Sequence, residues 1–288
     1  IHITTIMSKQ DRIKSLINLR IRNTSDSVRH CQNQFVFPGG ILPEEKGKYM
    51  VICCRADYNM SGVPMFHNPK DMKFSIRQAG NPNAIVSSHT IPQGFYNTIR
   101  DVLNPLNIVL AGTDIGEFRY NSSSDMIEFK ADVENPTKVL YMDRALHGLL
   151  DGFDYDLYDA YNGIYSLHEK SLTWTPQEFS TASRFYNRET IRVRANGLNH
   201  KTHIENTSDG TSTSYDHSNI LTDQVLLGTT RDRLIYIPTQ FRKIELQGND
   251  RIYAFTVSVD ILFADGTVIP LELPPNTYFS CLLLFTDI

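Results

Sequence analysis

Along most of this chain apolar and polar positions alternate with a period of two, the mark of strands with one face in a core. The longest run lies near the C-terminus. Tyr253, Phe255, Val257, Val259, Ile261 and Phe263 alternate with Ala254, Thr256, Ser258, Asp260 and Leu262. It predicts a long strand with one apolar face. Asp265-Gly266 follows and predicts a type I′ hairpin turn, with a return strand over 267–273. Pro274-Pro275-Asn276 turns the chain again, and 277–286 is apolar enough to lie inside a sheet. Upstream, 17–22 alternates for three periods, and 48–55 is a longer apolar run that reads as buried on both faces. Shorter strands are predicted at 72–77 and 84–88.

The middle of the chain differs. Phe95, Ile99, Val102, Leu103 and Leu106 fall near helical spacing, with Asn97 or Thr98 as cap. Pro105 is expected to end or bend that helix near its last turn. Strands at 117–120 and 126–131 flank a hairpin loop at 121–125. A second short helix is predicted over 141–150, with Ala145, Leu146, Leu149 and Leu150 as its stripe and Gly152 as its stop. Residues 154–188 show no clear period, and 201–223 reads as a long polar loop. The expected fold class is therefore all-β in the main: a β-sandwich or jelly roll with a small mixed α/β insertion.

Length and composition leave this reading intact. The 288 residues are 41% hydrophobic and 21% charged, which excludes a disordered chain. Lys+Arg is 28 against 32 for Asp+Glu, so a globally basic nucleic-acid binder is excluded but a local basic patch is not. Such a patch lies in 7–30, where Lys9, Arg12, Lys14, Arg20, Arg22 and Arg29 outweigh Asp11 and Asp26. It reads either as a solvated strand face beside an arm, or as an arm touching anionic material or a neighbouring subunit. No apolar run approaches the roughly 18 residues of a membrane-spanning helix. The first Met is Met7, and residues 1–6 are read as upstream sequence. The sequons at Asn23, Asn59, Asn121 and Asn206 read as chance matches in the absence of a secretion signal.

Candidate chemistry is sparse. Nucleophile-elbow, phosphate-loop, dinucleotide and HExxH motifs are missing. His200 and His203 offer two metal ligands where a closed zinc site needs four. Asp151, Asp154, Asp156 and Asp159 form an acidic cluster, but counting from Asp154 the sixth position is Asp159 and not the Gly of a calcium loop. Cys31, Cys53, Cys54 and Cys281 form no CxxC pair. A reducing compartment is the simpler reading, with disulfides left open. As a nucleophile, Cys31 has His30 beside it, but neighbours on a strand point apart. No enzyme activity, metal or cofactor is expected. Tyr155, Tyr158, Tyr161 and Tyr165, spaced by three and four, read either as a helical or irregular face packed on a core or as a protein interface.

Two stretches together carry a family resemblance. Ile91-Pro92-Gln93-Gly94-Phe95-Tyr96 opens a helix ending in Leu106-Asn107. A hairpin strand with Met126-Ile127-Glu128-Phe129 follows, and then a short helix ending in Leu149-Leu150-Asp151-Gly152-Phe153. Leu226-Leu227, 241–246, the strand before Asp265-Gly266 and Leu282-Leu283-Leu284-Phe285 agree in order and spacing. The chain resembles the penton (vertex, or minor capsid) proteins of virophages and Polinton/Maverick elements. It departs at Asp151, where the family places Gly directly before the Phe.

The resemblance implies a single jelly roll from 7–92 and 189–288, with an insertion domain over 93–188. It implies a structural protein that forms homopentamers at the fivefold vertices of an icosahedral double-stranded DNA virus or virophage. The partners would be further copies of the chain and a double-jelly-roll major capsid protein, with genome DNA as a further partner of the basic N-terminal segment. The protein would reside in the virion and be made in the host cytoplasm or a viral factory. Candidate interface residues are Lys9, Arg12, Lys14, Arg20, Arg22, Tyr155, Tyr158 and Tyr161. The alternative is a lectin-like or receptor-binding β-sandwich using the 201–223 loop. A third reading, an enzyme on a β-sandwich, requires a pocket with strongly perturbed titrating groups.

Overall fold

The computed structural model describes residues 13–41, 49–61, 63–178, 185, 187–198, 219–226, 233–240, 242–246 and 251–287. In chain order, β1 (Ile13–Arg22), β2 (Arg29–His30), β3 (Gln32–Val36) and β4 (Tyr49–Asn59) precede a mixed segment. That segment holds β5 (Phe66–Asn68), β6 (Met72–Gln78), β7 (Asn81–Ile91), β8 (Gly94–Tyr96), α1 (Ile99–Leu110), β9 (Gly116–Asn121), β10 (Met126–Ala131), β11 (Lys138–Asp143), α2 (Arg144–Leu150), β12 (Tyr155–Asp159), β13 (Ile164–Leu167) and β14 (Thr175–Pro176). Then come β15 (Arg188–Asn196), β16 (Ile220–Val225), β17 (Arg233–Tyr236), β18 (Ile244–Glu245), β19 (Ala254–Phe263), β20 (Val268–Pro270), β21 (Glu272–Leu273) and β22 (Tyr278–Asp287).

Two compact units result: residues 1–63 with 189–288, and residues 64–188. The division falls at 63/64, not at the 92/93 expected from sequence. β6 and β7 pair with each other, and β6 pairs with β11, so residues 72–91 join the second unit.

In the first unit one sheet runs β1-β22-β4-β17, with β18 also on β4, and the other runs β16-β15-β19-β20, with β3 also on β19. Take β1, β3, β4, β15, β16, β17, β19 and β22 as first to eighth. The first then pairs with the eighth, the second with the seventh, the third with the sixth and the fourth with the fifth. This is one long antiparallel hairpin rolled into two sheets, the single jelly roll. The inward rows supply its core: Leu19 and Ile21, Val51 and Cys53, Ile191 and Val193, Phe255 to Phe263 at alternate positions, and Phe279, Cys281, Leu283 and Phe285. A register shift on the β4–β22 ladder leaves Cys54 as an extra residue between Cys53 and Arg55. It moves the inward row of β4 from 51 and 53 to Ala56 and Tyr58. Cys53 thus faces the core, while Cys54 packs with Met50, Ile52 and Leu284 in a separate cluster.

Two turns show local chemistry at work. Asn276 takes φ +61 at the third position of the 274–277 turn, closed by the Thr277 amide on the Pro274 carbonyl at 3.2 Å. The Asp265-Gly266 hairpin is not type I′, because only Gly266 has positive φ (+85). The Gly266 amide bonds Phe263 O at 2.9 Å and the Phe263 amide bonds Thr267 O at 2.9 Å. Gly thus sits at the left-handed position after a tight turn, the bulged alternative to the two-residue loop.

The second unit has its own core around Phe118, Phe129, Leu140, Leu146 and α1. Thr98 caps α1 reciprocally with Asp101. The helix begins later and ends later than its periodicity suggests. Gly94–Tyr96 is a strand paired with β5, so Phe95 is not part of the helix, and α1 runs through Pro105 to Leu110. Proline forfeits its own amide bond and crowds the carbonyl four residues back, at a cost of about 3 kcal/mol, and buried Leu106 and Leu110 hold the turns beyond it. Asn107 fastens the helix to β9: its Nδ2 donates to Phe118 O at 2.6 Å and its Oδ1 accepts the Phe118 amide at 2.9 Å. Tyr141 and Met142, expected on the second helix, end strand β11 instead. Asp143 then caps α2 by accepting the Leu146 amide at 2.9 Å. Ala145 is exposed, so the α2 stripe is Leu146, Leu149 and Leu150. Residues 154–176 are ordered as β12, β13 and β14.

Ile261→Ala empties an inward site of β19 and should lower the unfolding free energy of the jelly-roll unit by about 2–5 kcal/mol in urea titration. Thr256→Ala, on the other face of that strand, should change it by no more than about 0.5 kcal/mol.

Candidate assembly surfaces

Among the described residues, the groups capable of covalent chemistry are poorly placed for it. All four cysteines are buried as free thiols. Burial raises the thiol pKa of Cys31, Cys54 and Cys281, and pushes that of Cys53 up to about 12, so the nucleophilic thiolate is suppressed. Ser166, His168 and Asp156 do come together. Ser166 Oγ lies 3.0 Å from His168 Nε2, and Asp156 Oδ2 lies 3.3 Å from the same nitrogen. A hydrolytic triad needs the serine and the carboxylate on opposite ring nitrogens. Of the acidic cluster, Asp159 serves its own turn, accepting the Tyr161 and Asn162 amides at 3.0 and 3.1 Å. Among the described residues no group of three His, Cys, Asp or Glu is placed to hold a metal ion. No helix among the described residues is long and apolar enough to cross a membrane. His200 and His203 lie outside the described residues, as do residues 201–218 of the expected polar loop; Thr222 and Asp223 belong to β16.

What the surface does present is aromatic and basic. β12 and β13 form a hairpin, and the spacing of its tyrosines reflects a β-ladder with a tight turn, not a helix. Tyr155 faces inward. Its ring packs edge-on to His147 and its hydroxyl donates to Leu150 O at 2.9 Å. Burial raises its pKa well above the ordinary tyrosine value. Tyr158 is exposed but anchored, with its ring edge-on to Tyr141 at 5.1 Å and Arg77 beside it. Tyr161 at the hairpin turn is 96% exposed, and Leu157 is exposed nearby on β12. The hairpin therefore offers Leu157, Tyr158 and Tyr161, but not Tyr155.

Of the basic candidates, Lys9 and Arg12 lie outside the described residues and Lys14 lies on β1. Arg20 and Arg22 follow on the same strand, both exposed. The Arg20 guanidinium sits 3.8 Å above the Tyr278 ring. β17 brings a second arginine to that ring: Arg233, 5.6 Å from its centroid, makes two hydrogen bonds to the buried Asp57 carboxylate, one of 2.7 Å through Nε. That partnership raises the Arg233 pKa further. Arg55 approaches Asp57 at 3.8 Å. Sequence reading missed Tyr278, Asp57, Arg55 and Arg233, because only strand order brings residues 20, 55, 233 and 278 together.

A second polar assembly stiffens the insertion. Glu128 on β10 accepts Asn121 Nδ2 at 2.7 Å and Arg119 Nε at 2.6 Å. The Arg119 guanidinium stacks 3.9 Å over Trp174, the chain's lone tryptophan. The Asn121 bond, then Arg119, hold the Glu128 carboxyl below its ordinary pKa against the opposing effect of burial.

Comparison with known proteins follows from this geometry. A family model described as Sputnik minor capsid protein V18/19 matches residues 168–287. A search of curated proteins returned no match. Among solved structures, the mavirus penton protein superposes with a TM-score of 0.73 at 19% identity, covering 95% of this chain and 99% of that one. A chain of the Sputnik virophage particle gives 0.72 at 16% identity, covering 94% and 98%. At these identities the shared property is the fold, and it places this chain in the class of single-jelly-roll proteins with an insertion. The family match adds sequence similarity over residues 168–287 to this likeness of fold.

Two outcomes are expected. Iodoacetamide should label none of the four cysteines in the folded protein and all four in denaturant, read by intact mass. A depressed carboxyl pKa stabilises the fold above the unfolded value of about 4.3, and that contribution is lost as pH falls through the folded value. Glu128→Gln should therefore lower the melting temperature at pH 7 and flatten its decline below about pH 4.5.

Proposed function

We propose that this protein is a structural, non-enzymatic capsid component that assembles as a homopentamer at the fivefold vertices of a virophage-like icosahedral particle. The observation that carries the reading is the match over nearly the full length of both chains to a solved penton protein. A ring of five needs heterologous contacts, in which one face of each copy meets a different face of the next. Tyr158 and Tyr161 on the β12–β13 hairpin suit such a contact, since exposed, rigidly held tyrosines are enriched where proteins meet. The double-jelly-roll major capsid protein is the second partner. The basic N-terminal segment, with Lys9, Arg12, Lys14, Arg20 and Arg22, faces the particle interior or a neighbouring copy.

Light scattering of the purified chain, with negative-stain imaging of the same peak, tests the reading. Alone or mixed with the major capsid protein, the chain should give rings of five times its 32.9 kDa mass. A stable dimer or trimer with a closed interface would count against it. Tyr158→Ala with Tyr161→Ala should weaken ring formation about tenfold or more, the effect of losing interface anchors worth at least 1.4 kcal/mol together.

A further inference from the structure

The outer face of the β1-β22-β4-β17 sheet concentrates arginine in a chain whose net charge is -4. Arg20, Ser280, Asp57 and Ile235 lie on one register line across all four strands. Arg22 is the ladder partner of Tyr278, Arg233 is that of Asn59, and Arg55 stands two residues before Asp57. Asp57 is the carboxylate of this group, and Arg233 already holds it through two hydrogen bonds. Arg20 and Arg22 have no carboxylate opposite them in the register. Yet Arg20 converges with Arg233 on a single tyrosine ring. Two cations steered onto one ring repel each other across it, and a bound anion relieves that repulsion.

All four cations are arginine. The planar guanidinium fork matches phosphate oxygens in pairs, and stacking on an aromatic ring fixes its orientation in advance. Next to these arginines on the ladder stand the polar positions Ser280, Asp57 and Asn59, while the apolar cluster of Met50, Ile52, Cys54, Leu282 and Leu284 lies further along the same face. Polar, arginine-rich surfaces of this kind suit a phosphate backbone. We infer that this face, Arg20, Arg22, Arg55 and Arg233 around Tyr278, binds the phosphate backbone of nucleic acid without reading its sequence. The inference goes beyond the vertex assignment and stands apart from it, because it concerns binding by the chain in any oligomeric state.

Fluorescence anisotropy with the full chain and a labelled 30-base-pair DNA duplex, from 50 to 200 mM KCl, provides the test. Asp57 compensates Arg233, so three neutralised phosphates predict a slope of log K against log salt of about -2.7, a loss of about 40-fold over that range. Two duplexes of unrelated sequence should bind alike. Arg20→Gln with Arg22→Gln should reduce the slope by about 2 and weaken binding at 50 mM at least tenfold. Both positions are exposed, so the melting temperature should stay within a few degrees. Arg233 is left in place, because removing it would strand the buried Asp57 carboxylate. Lys70→Gln with Arg100→Gln removes equal charge from the other unit and should leave binding near the wild-type value. The inference is overturned by no binding at 50 mM KCl, by wild-type affinity and slope in the Arg20/Arg22 variant, or by equal weakening in the Lys70/Arg100 control. Polyglutamate competing as well as unlabelled duplex would also overturn it and reassign the face to an acidic protein surface. A chain that binds DNA as described but forms no ring leaves this inference standing and removes only the vertex reading.

Discussion

The fold turns on one ladder arrangement: the last strand lies between the first and the third principal strands. β22 pairs with β1 from Tyr278 to Thr286 and with β4 from Ser280 to Asp287. Its inward row, Phe279, Cys281, Leu283 and Phe285, is almost wholly buried. A strand so apolar is an aggregation hazard unless both edges are paired, and here both are. The pairing joins the first and last principal strands, so the roll closes only once β22 is in place. Removing it would expose an edge of β4 as well as one of β1.

That closure also explains how a whole second unit is accommodated. The insertion leaves after β4 and returns at β15, between the third and fourth principal strands, where the path crosses from one sheet to the other. No ladder is interrupted there. The inserted segment builds its own core and fastens its parts through side-chain amides that stand in for backbone. Asn107 pairs with Phe118 as a neighbouring strand would. Gln177 Nε2 donates to Leu149 O and Asp151 O at 3.1 and 3.0 Å, tying the end of α2 to β14. Gly152, at φ +102, lies where a Cβ would come within 2.7 Å of the Glu178 amide nitrogen. The turn after α2 is thus specified by close approach of two backbones, one residue beyond the Asp151 position where the family resemblance departs.

Among the described residues, thiols lie buried with raised pKa values, and Ser166 and Asp156 converge on a single imidazole nitrogen of His168. The contacts proposed above rest instead on surface arginines and tyrosines. Half of that surface was legible from sequence. Arg20 and Arg22 stood out as local excess charge, and Tyr158 and Tyr161 as an aromatic run. Tyr155 stood out equally but turns inward, because β12 alternates and its neighbours on α2 claim the ring. Arg55, Asp57, Arg233 and Tyr278 carried no local signal at all.

The sequence by itself determined the strands whose faces differ in polarity. The alternation of 253–263, the apolar run at 277–286 and the run at 48–55, buried on both faces over 49–54, each follow from side chains that must leave water on one face or both. It also narrowed the helix cap to Asn97 or Thr98 and determined the turn at Pro274-Pro275-Asn276, where local geometry suffices. Tertiary structure decided what depends on a partner distant in sequence. It carried α1 past Pro105, because buried leucines outweigh the cost of the proline. It made 138–143 a strand because β6 lay open beside it, and it moved the unit boundary to 63/64 for the same reason. It also gathered residues 20, 55, 233 and 278 onto one face, since strand order is set by closure of the roll and leaves no trace in any single segment.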